Sequence, residues 1–356
     1  MTELPPFTGS ATPGFAKVLH ELRSTVVIST YQAGKVIFIS AKNDHDLIQF
    51  PRTFRKPMGI ALSGQKLAIA TQNEVIVYSN SPGQAKNYPK KPNVYDALYI
   101  PRATYYTGEL DIHDVHFINN KLFAVNTRFS CISLINDDQS FTEVWRPSFI
   151  KELQPEDYCH LNGLVVDSNN RPAYLTALGD STTAKGWKAN KAKGGILIDG
   201  NTQEILLRDL PMPHSPRLYK EGLFILLSAT GELVRVDTKK GSYEVIHRFD
   251  GFVRGMDRIG DFLFIGLSKL RTTSASFGDL PIAAHSPVCG VAVFHLPSRK
   301  VIGQFKYETS VEEIYDVKIL AGSVRPAVMS IDKNEHEGVI TVIDGVYWPM
   351  TDQPKS

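Results

Sequence analysis

Residues 254–268 read RGMDRIGDFLFIGLS. A short strand, an Ile-Gly-Asp turn and an apolar strand ending in a small polar residue make a β-hairpin. Five other stretches repeat the form: MGIALSGQKLAIAT from Met58, HDVHFINNKLFAVN from His113, NGLVVDSNNRPAYLT from Asn162, SPRLYKEGLFILLS from Ser215 and YDVKILAGSVRPAVMS from Tyr315. Their anchors, Gly59, Asp114, Gly163, Pro216, Gly255 and Asp316, lie 55, 49, 53, 39 and 61 residues apart. A four-stranded blade with variable loops fits these gaps, and a sandwich would not need such a repeat. The expected fold is all-β, a six-bladed β-propeller with a short N-terminal helix and loop insertions.

Working outward, four hairpins lead directly into a third strand, EVIVYSN, CISLIND, ELVRVDT and GVITVID. The other two reach theirs, GGILIDG and CGVAVFHL, only after insertions. The early segment VVISTYQAGKVIFIS precedes the first anchor, so it is expected to supply outer strands to the last blade. That clasp between the termini would protect the sheet edges. Before it, Pro13-Gly14 precede Phe15, Val18, Leu19 and Leu22 at helical spacing. The expected organisation is an arm and helix over 1–24, one propeller over 25–348 and a tail over 349–356.

Composition bounds the function. Of 356 residues, 39 are basic and 37 acidic, a net charge of +2, with no basic stripe for nucleic acid. No apolar run approaches a membrane span, and the N-terminus lacks a secretory pattern. Cys131, Cys159 and Cys289 are an odd number without CxxC spacing, which suits buried thiols in a reducing cytoplasm. The expected location is cytoplasmic.

Three insertions interrupt the repeat: 141–158 with Trp145-Arg146-Pro147 and a short helix, 179–193 with Trp187, and 269–287. They are either lids or surface decoration, and a Trp in a polar loop favours a lid.

The innermost strand of each blade lines the channel, so residues at its start converge on one mouth. The alignment puts Met58, His113, Asn162, Ser215, Arg254 and Tyr315 at one level. Two residues earlier stand Lys56, Asp111, His160, Pro213, Phe252 and Glu313, with His214 between the levels. Convergent polar groups in a concavity make a binding site, although a wet channel is polar on its own account. Three chemistries compete. His113, His160 and His214 would ligate a divalent metal ion. Asn162 with Glu313 or Asp111 would hold a hard cation. His113 or His160, beside Asp111 or Glu313, would act as acid or base.

Arg217, Arg254 and Lys269 would hold a carboxylate or phosphate, with Tyr315 and Trp187 completing the ligand site. Arg254 serves equally as a salt-bridge partner of Asp257 or Glu313. His116, three residues from His113 on a strand, is expected to face away from it. Arg128, and with it Lys269 and Arg271, end second strands and are expected at the opposite mouth unless the loops fold back.

The runs YDALYIPRATYYTGELDIHDV, NTRFSCIS, CHLNGL, MPHSPR, GLSKLR, FGDLPIA and VEEIYDV strongly resemble a bacterial family of proteins of unknown function. The resemblance covers Thr25 to Val324 and implies a propeller-like fold without an established activity. HLNGLVVDSNNRPAYLT also resembles the gluconolactonase and paraoxonase propellers, which would imply a Ca²⁺-dependent hydrolase. His214-Ser215-Pro216 stand where that family has an acidic ligand. The expected function is binding of a small polar or anionic molecule, or hydrolase or lyase chemistry on it. The alternative is a propeller that presents its surface to a protein partner. A carbohydrate site would need Trp145 or Trp187 as a platform.

Overall fold

A computed structural model describes residues 4–89, 91–270 and 277–348. Six sheets of four or five strands each form the blades. In chain order the innermost strands are Ile60–Ser63, Ile112–Ile118, Leu161–Val166, Pro213–Tyr219, Phe252–Ile259 and Asp316–Ala321. The fold is a six-bladed β-propeller, as the repeat predicts.

The clasp forms where expected. Asp316–Ala321 pairs antiparallel with Ser24–Thr30, and Lys35–Ala41 and Leu47–Thr53 complete that blade. Every residue of Ser24–Thr30 is buried, because apolar blades cover it on both faces. Two elements reinforce neighbouring edges: Gly9–Ala11 pairs with Lys300–Tyr307, and Pro326–Val328 pairs parallel with Ala97–Tyr106.

This corrects the reading of the last repeat. VRPAVMS is not the second strand of its blade, and GVITVID is not the third. Ser24–Thr30 already occupies the place beside Asp316–Ala321, so the C-terminal segment crosses to the first blade. Ile340–Val342 instead makes a separate hairpin with Gly345–Tyr347.

The N-terminal helix spans Pro13–Glu21 and buries Phe15, Ala16, Val18 and Leu19. Proline suits its first turn, where the N–H has no helical partner. The Phe15 ring lies 6.4 Å from Phe264 and 5.8 Å from Phe305. A Cβ at Gly14 would collide with the Ile302 carbonyl, so glycine sets the close approach of helix to sheet.

Two buried carboxylates, Asp114 and Asp316, and the half-buried Asp257 line the channel and tie inner strands together. Asp316 accepts the N–H of Ile60 from the next blade at 3.0 Å, and Asp257 accepts that of Ile319 at 2.8 Å. Arg217 lies 3.5 Å from Asp114 and 3.8 Å from Asp316, and Lys318 lies 3.4 Å from Asp316. Burial would raise the Asp114 carboxyl, but His116 and Arg217 hold it well below its ordinary range. The cysteines are buried and free, and burial pushes the Cys131 and Cys159 thiols up to about 12. No helix among the described residues is long and apolar enough to cross a membrane.

Candidate functional site

The mouth begins where the inner strands break register. Two residues on the inner strand oppose one on its partner at His113-Asp114, Ser215-Pro216 and Arg254-Gly255, and Asn162 is an extra residue in the third blade. Such bulges re-aim side chains beside functional sites. Asp111, His160 and Met212 just before them have left-handed φ of 54°, 52° and 54°. Non-glycine residues adopt that conformation at a cost of about 1–2 kcal/mol each.

Two blades build the same histidine. His113 Nδ1 lies 3.1 Å from the Asp111 carbonyl and 2.7 Å from Thr127 Oγ1, whose own proton goes to the Leu161 carbonyl at 2.6 Å. His214 Nδ1 lies 3.0 Å from the Met212 carbonyl and 2.9 Å from Ser228 Oγ, which donates to the Val253 carbonyl at 2.5 Å. Each hydroxyl has spent its proton on a carbonyl, so Nδ1 must be the donor. The tautomer is therefore Nδ1–H, with the lone pair on Nε2. Burial, with the neighbouring histidines and Arg254, holds both imidazoles well below their ordinary pKa.

His160 is held differently. Its Nδ1 lies 3.1 Å from an Asp157 oxygen, and the Trp187 indole N–H donates to the same carboxylate at 2.9 Å. The Trp187 and His160 rings lie 4.2 Å apart, and the His113 and His160 rings stand edge to face at 4.7 Å. Trp187, only 7% exposed on the turn Gly186–Asn190, covers His160.

These groups border two concavities at one mouth. A cavity of about 350 Å³ is lined by His113, His160, His214, Arg254, Lys269 and Glu313, with Leu178, Met212, Phe252, Leu270 and Phe277 as its apolar wall. A neighbouring one of about 270 Å³ is lined by Asp111, Asp157, Lys56, Arg128 and Lys185. In the larger cavity the Arg254 guanidinium lies 3.4 Å from the Tyr315 ring centre and 3.8 Å from Glu313. Burial raises the Glu313 carboxyl, and Arg254 opposes it.

Several expected site residues stand apart. Asn162 donates to the Pro213 carbonyl at 3.0 Å and accepts from Thr176 at 2.7 Å, so its amide joins two blades instead of facing a cation. Arg217 lies in the channel among Asp114, Asp316 and the Met256 carbonyl. It borders a third concavity that takes in the far ends of the inner strands and includes His116. Tyr315 supports Arg254 from beneath. The three histidines do not form one ligand group. Among the described residues, the ligand atoms within 4.8 Å of one another belong to Asp111, His113 and His160.

Three geometric expectations need correction. In an antiparallel hairpin the end of the second strand returns beside the start of the first. Asn126 therefore pairs with Ile112, and Ser268 with Phe252, which brings Arg128 and Lys269 to the histidine mouth. Arg271 lies outside the described residues. The fourth blade is one residue off in the alignment: by its bonds to the carbonyl two residues before and the hydroxyl fourteen after, His214 and not Ser215 is the counterpart of His113, although the ladder breaks one residue later there. The segment 141–158 forms no helix; its start is the outer strand Thr142–Trp145. Trp145 donates to the Gly200 carbonyl and Trp187 to Asp157, so neither is a free platform.

Sequence reasoning missed Thr127, Ser228 and Asp157. The first two carried a signal: a hydroxyl follows His113, Asn162 and His214 by 14 residues in each case. Asp157 lies in an insertion, outside the repeat.

No curated protein matches the chain. A protein of unknown function from Bacteroides caccae is similar over 83% of this chain and 98% of its own, with TM-score 0.50 and 8% identity. A chain of the nidogen/laminin complex is similar over 84% of this chain and 99% of its own, with TM-score 0.48 and 11% identity. Virginiamycin B lyase from Staphylococcus aureus is similar over 68% and 76%, with TM-score 0.41 and 12% identity. At such identities these likenesses bring no chemistry to the mouth. Residues 13–329 match the family described as Domain of unknown function (DUF4915), and the chain belongs to that family.

Proposed function

We propose that the larger mouth cavity binds a small anionic molecule and carries out proton-transfer chemistry of the hydrolase or lyase type on it. One observation carries this reading: two buried histidines with Nδ1–H committed to the protein, their imidazoles held below the ordinary pKa by burial, border the same cavity of about 350 Å³ as Arg254 and Lys269. A cavity of that size suits a small molecule. Arg254, pre-positioned on the Tyr315 face, offers a planar fork to a carboxylate or phosphate. His214 Nε2 is the base, since its neutral form persists as pH falls toward the ordinary histidine range. Glu313, favoured in its protonated form by burial, is the matching acid.

Thermal denaturation with malonate, malate, citrate and inorganic phosphate tests the anion. At least one should raise the wild-type midpoint, and the rise should shrink in Arg254→Gln and Lys269→Gln. A wild type that none of them stabilises, or an undiminished rise in both variants, would overturn the reading.

A further inference from the structure

We infer that Asp111, His113 and His160 form a site for one divalent transition-metal ion of the zinc class, set between the two mouth concavities. Two imidazoles and one carboxylate are a donor set for such ions, with further positions left for water or a bound molecule. Each residue offers one ligand atom, an imidazole nitrogen or a carboxylate oxygen, and three such atoms lie within 4.8 Å of one another, with the Asp111 carboxylate 3.9 Å from His113 Nδ1 on the protein side of the ring. Ligands around tetrahedral zinc sit about 3.3 Å apart. Closure of that spacing asks for about 1.5 Å at most, and the Asp111 side chain, 46% exposed, has room to turn its carboxylate toward the Nε2 side of the two rings.

The second observation is independent of that spacing. A metal-bound imidazole almost always engages a carboxylate or a backbone carbonyl through its other nitrogen, which fixes the ring. Both histidines are already held so. His160 Nδ1 rests on Asp157, which the Trp187 indole N–H fixes from the other side. His113 Nδ1 rests on the Asp111 carbonyl and Thr127. Among the described residues, no hydrogen bond occupies Nε2 of either ring. Asp111 and His160 both sit in left-handed backbone, held there against its cost. Asp111 and Asp157 would balance the charge of the ion.

His214 falls outside this group and remains free to act on a molecule in the larger cavity. Asp157 is a positioning residue: it acts on the ion through His160. The site borders the proposed anion cavity but does not rest on that reading, because the ion is measured with no anion present.

The test is Zn²⁺ and Co²⁺ binding to full-length protein stripped of metal, by calorimetry and elemental analysis, with circular dichroism confirming the fold of each variant. About one equivalent should bind the wild type. His160→Asn and Asp111→Asn should abolish stoichiometric binding, asparagine being chosen because it tolerates the left-handed backbone. His20→Asn, at an exposed histidine, should bind as wild type. Asp157→Asn should bind about 10–100-fold more weakly, with a shifted visible spectrum of the Co²⁺ form. A wild type that binds neither ion, or folded His160→Asn and Asp111→Asn that bind as wild type, would overturn the site. Asp157→Asn with unchanged affinity and spectrum would overturn the positioning role.

Discussion

Ser228→Ala probes the construction of the mouth most closely. The Ser228 hydroxyl donates to the Val253 carbonyl at 2.5 Å and accepts from His214 Nδ1 at 2.9 Å. In the variant His214 keeps the Met212 carbonyl at 3.0 Å, so its N–H stays paired. Val253 loses a donor in a buried setting, which costs about 1–3 kcal/mol. We take roughly 2 kcal/mol, about a 30-fold fall in the folded-to-unfolded ratio. With a urea slope of about 3 kcal/mol per molar, the midpoint should fall by about 0.7 M. Thr127→Val repeats the experiment in another blade, since Thr127 makes the equivalent bonds to Leu161 and His113. The two midpoints should fall alike. Shifts under about 0.1 M in both, at unchanged slope, would refute the claim that these hydroxyls satisfy buried carbonyls of the next blade and so have no proton left for the histidines.

Other perturbations separate the channel from the mouth. Arg217→Met removes the cation shared by Asp114 and Asp316, leaving them His116 and Lys318, and should cost about 3 kcal/mol in urea unfolding, while anion binding at the mouth persists. A neutral effect would mean that the network contributes little. Glu313→Gln tests pH linkage. The folded pKa lies above the ordinary 4.5, so the protonated form stabilises the fold below that value and the benefit disappears as pH rises through the folded pKa. Wild type should therefore lose stability as pH rises from about 4.5, the variant should not, and the variant should melt higher than wild type at about pH 7.5. A variant melting lower there would mean that pairing with Arg254 outweighs burial. Phe15→Ala should cost about 3–5 kcal/mol by emptying the contact between helix and outer sheet, and thermal unfolding would show it.

The blade rhythm was legible because each inner hairpin carries the same physical demands. Apolar residues face neighbouring blades, a turn joins the strands, and a small polar residue ends the second. Those terminal hydroxyls stitch one blade to the next, since Ser29, Thr127, Ser228 and Ser268 each bond a carbonyl of the following blade. Closure by VVISTYQAGKVIFIS was legible because this β-rich segment precedes the first anchor and belongs to none of the six hairpins. The C-terminal segment was not, because VRPAVMS has strand character and only competition from Ser24–Thr30 sends it elsewhere.

At the mouth, the alignment brought His113, His160, His214, Arg254 and Glu313 to one cavity. It missed the bulges, which have no strong local signature, and so misplaced the fourth blade by one residue. Asn162 and Arg217 looked alike with the other polar residues. Their roles are decided by partners far along the chain, Pro213 for one and Asp114 and Asp316 for the other.

Ring-nitrogen NMR of ¹⁵N-histidine-labelled protein reads the tautomers on which the mouth chemistry depends. His113 and His214 should be neutral Nδ1–H tautomers with unprotonated Nε2, unchanged between about pH 5.5 and 8, and malonate or phosphate should perturb the Nε2 signal of His214. Nε2–H tautomers, or protonation of both rings near the ordinary histidine value, would contradict it.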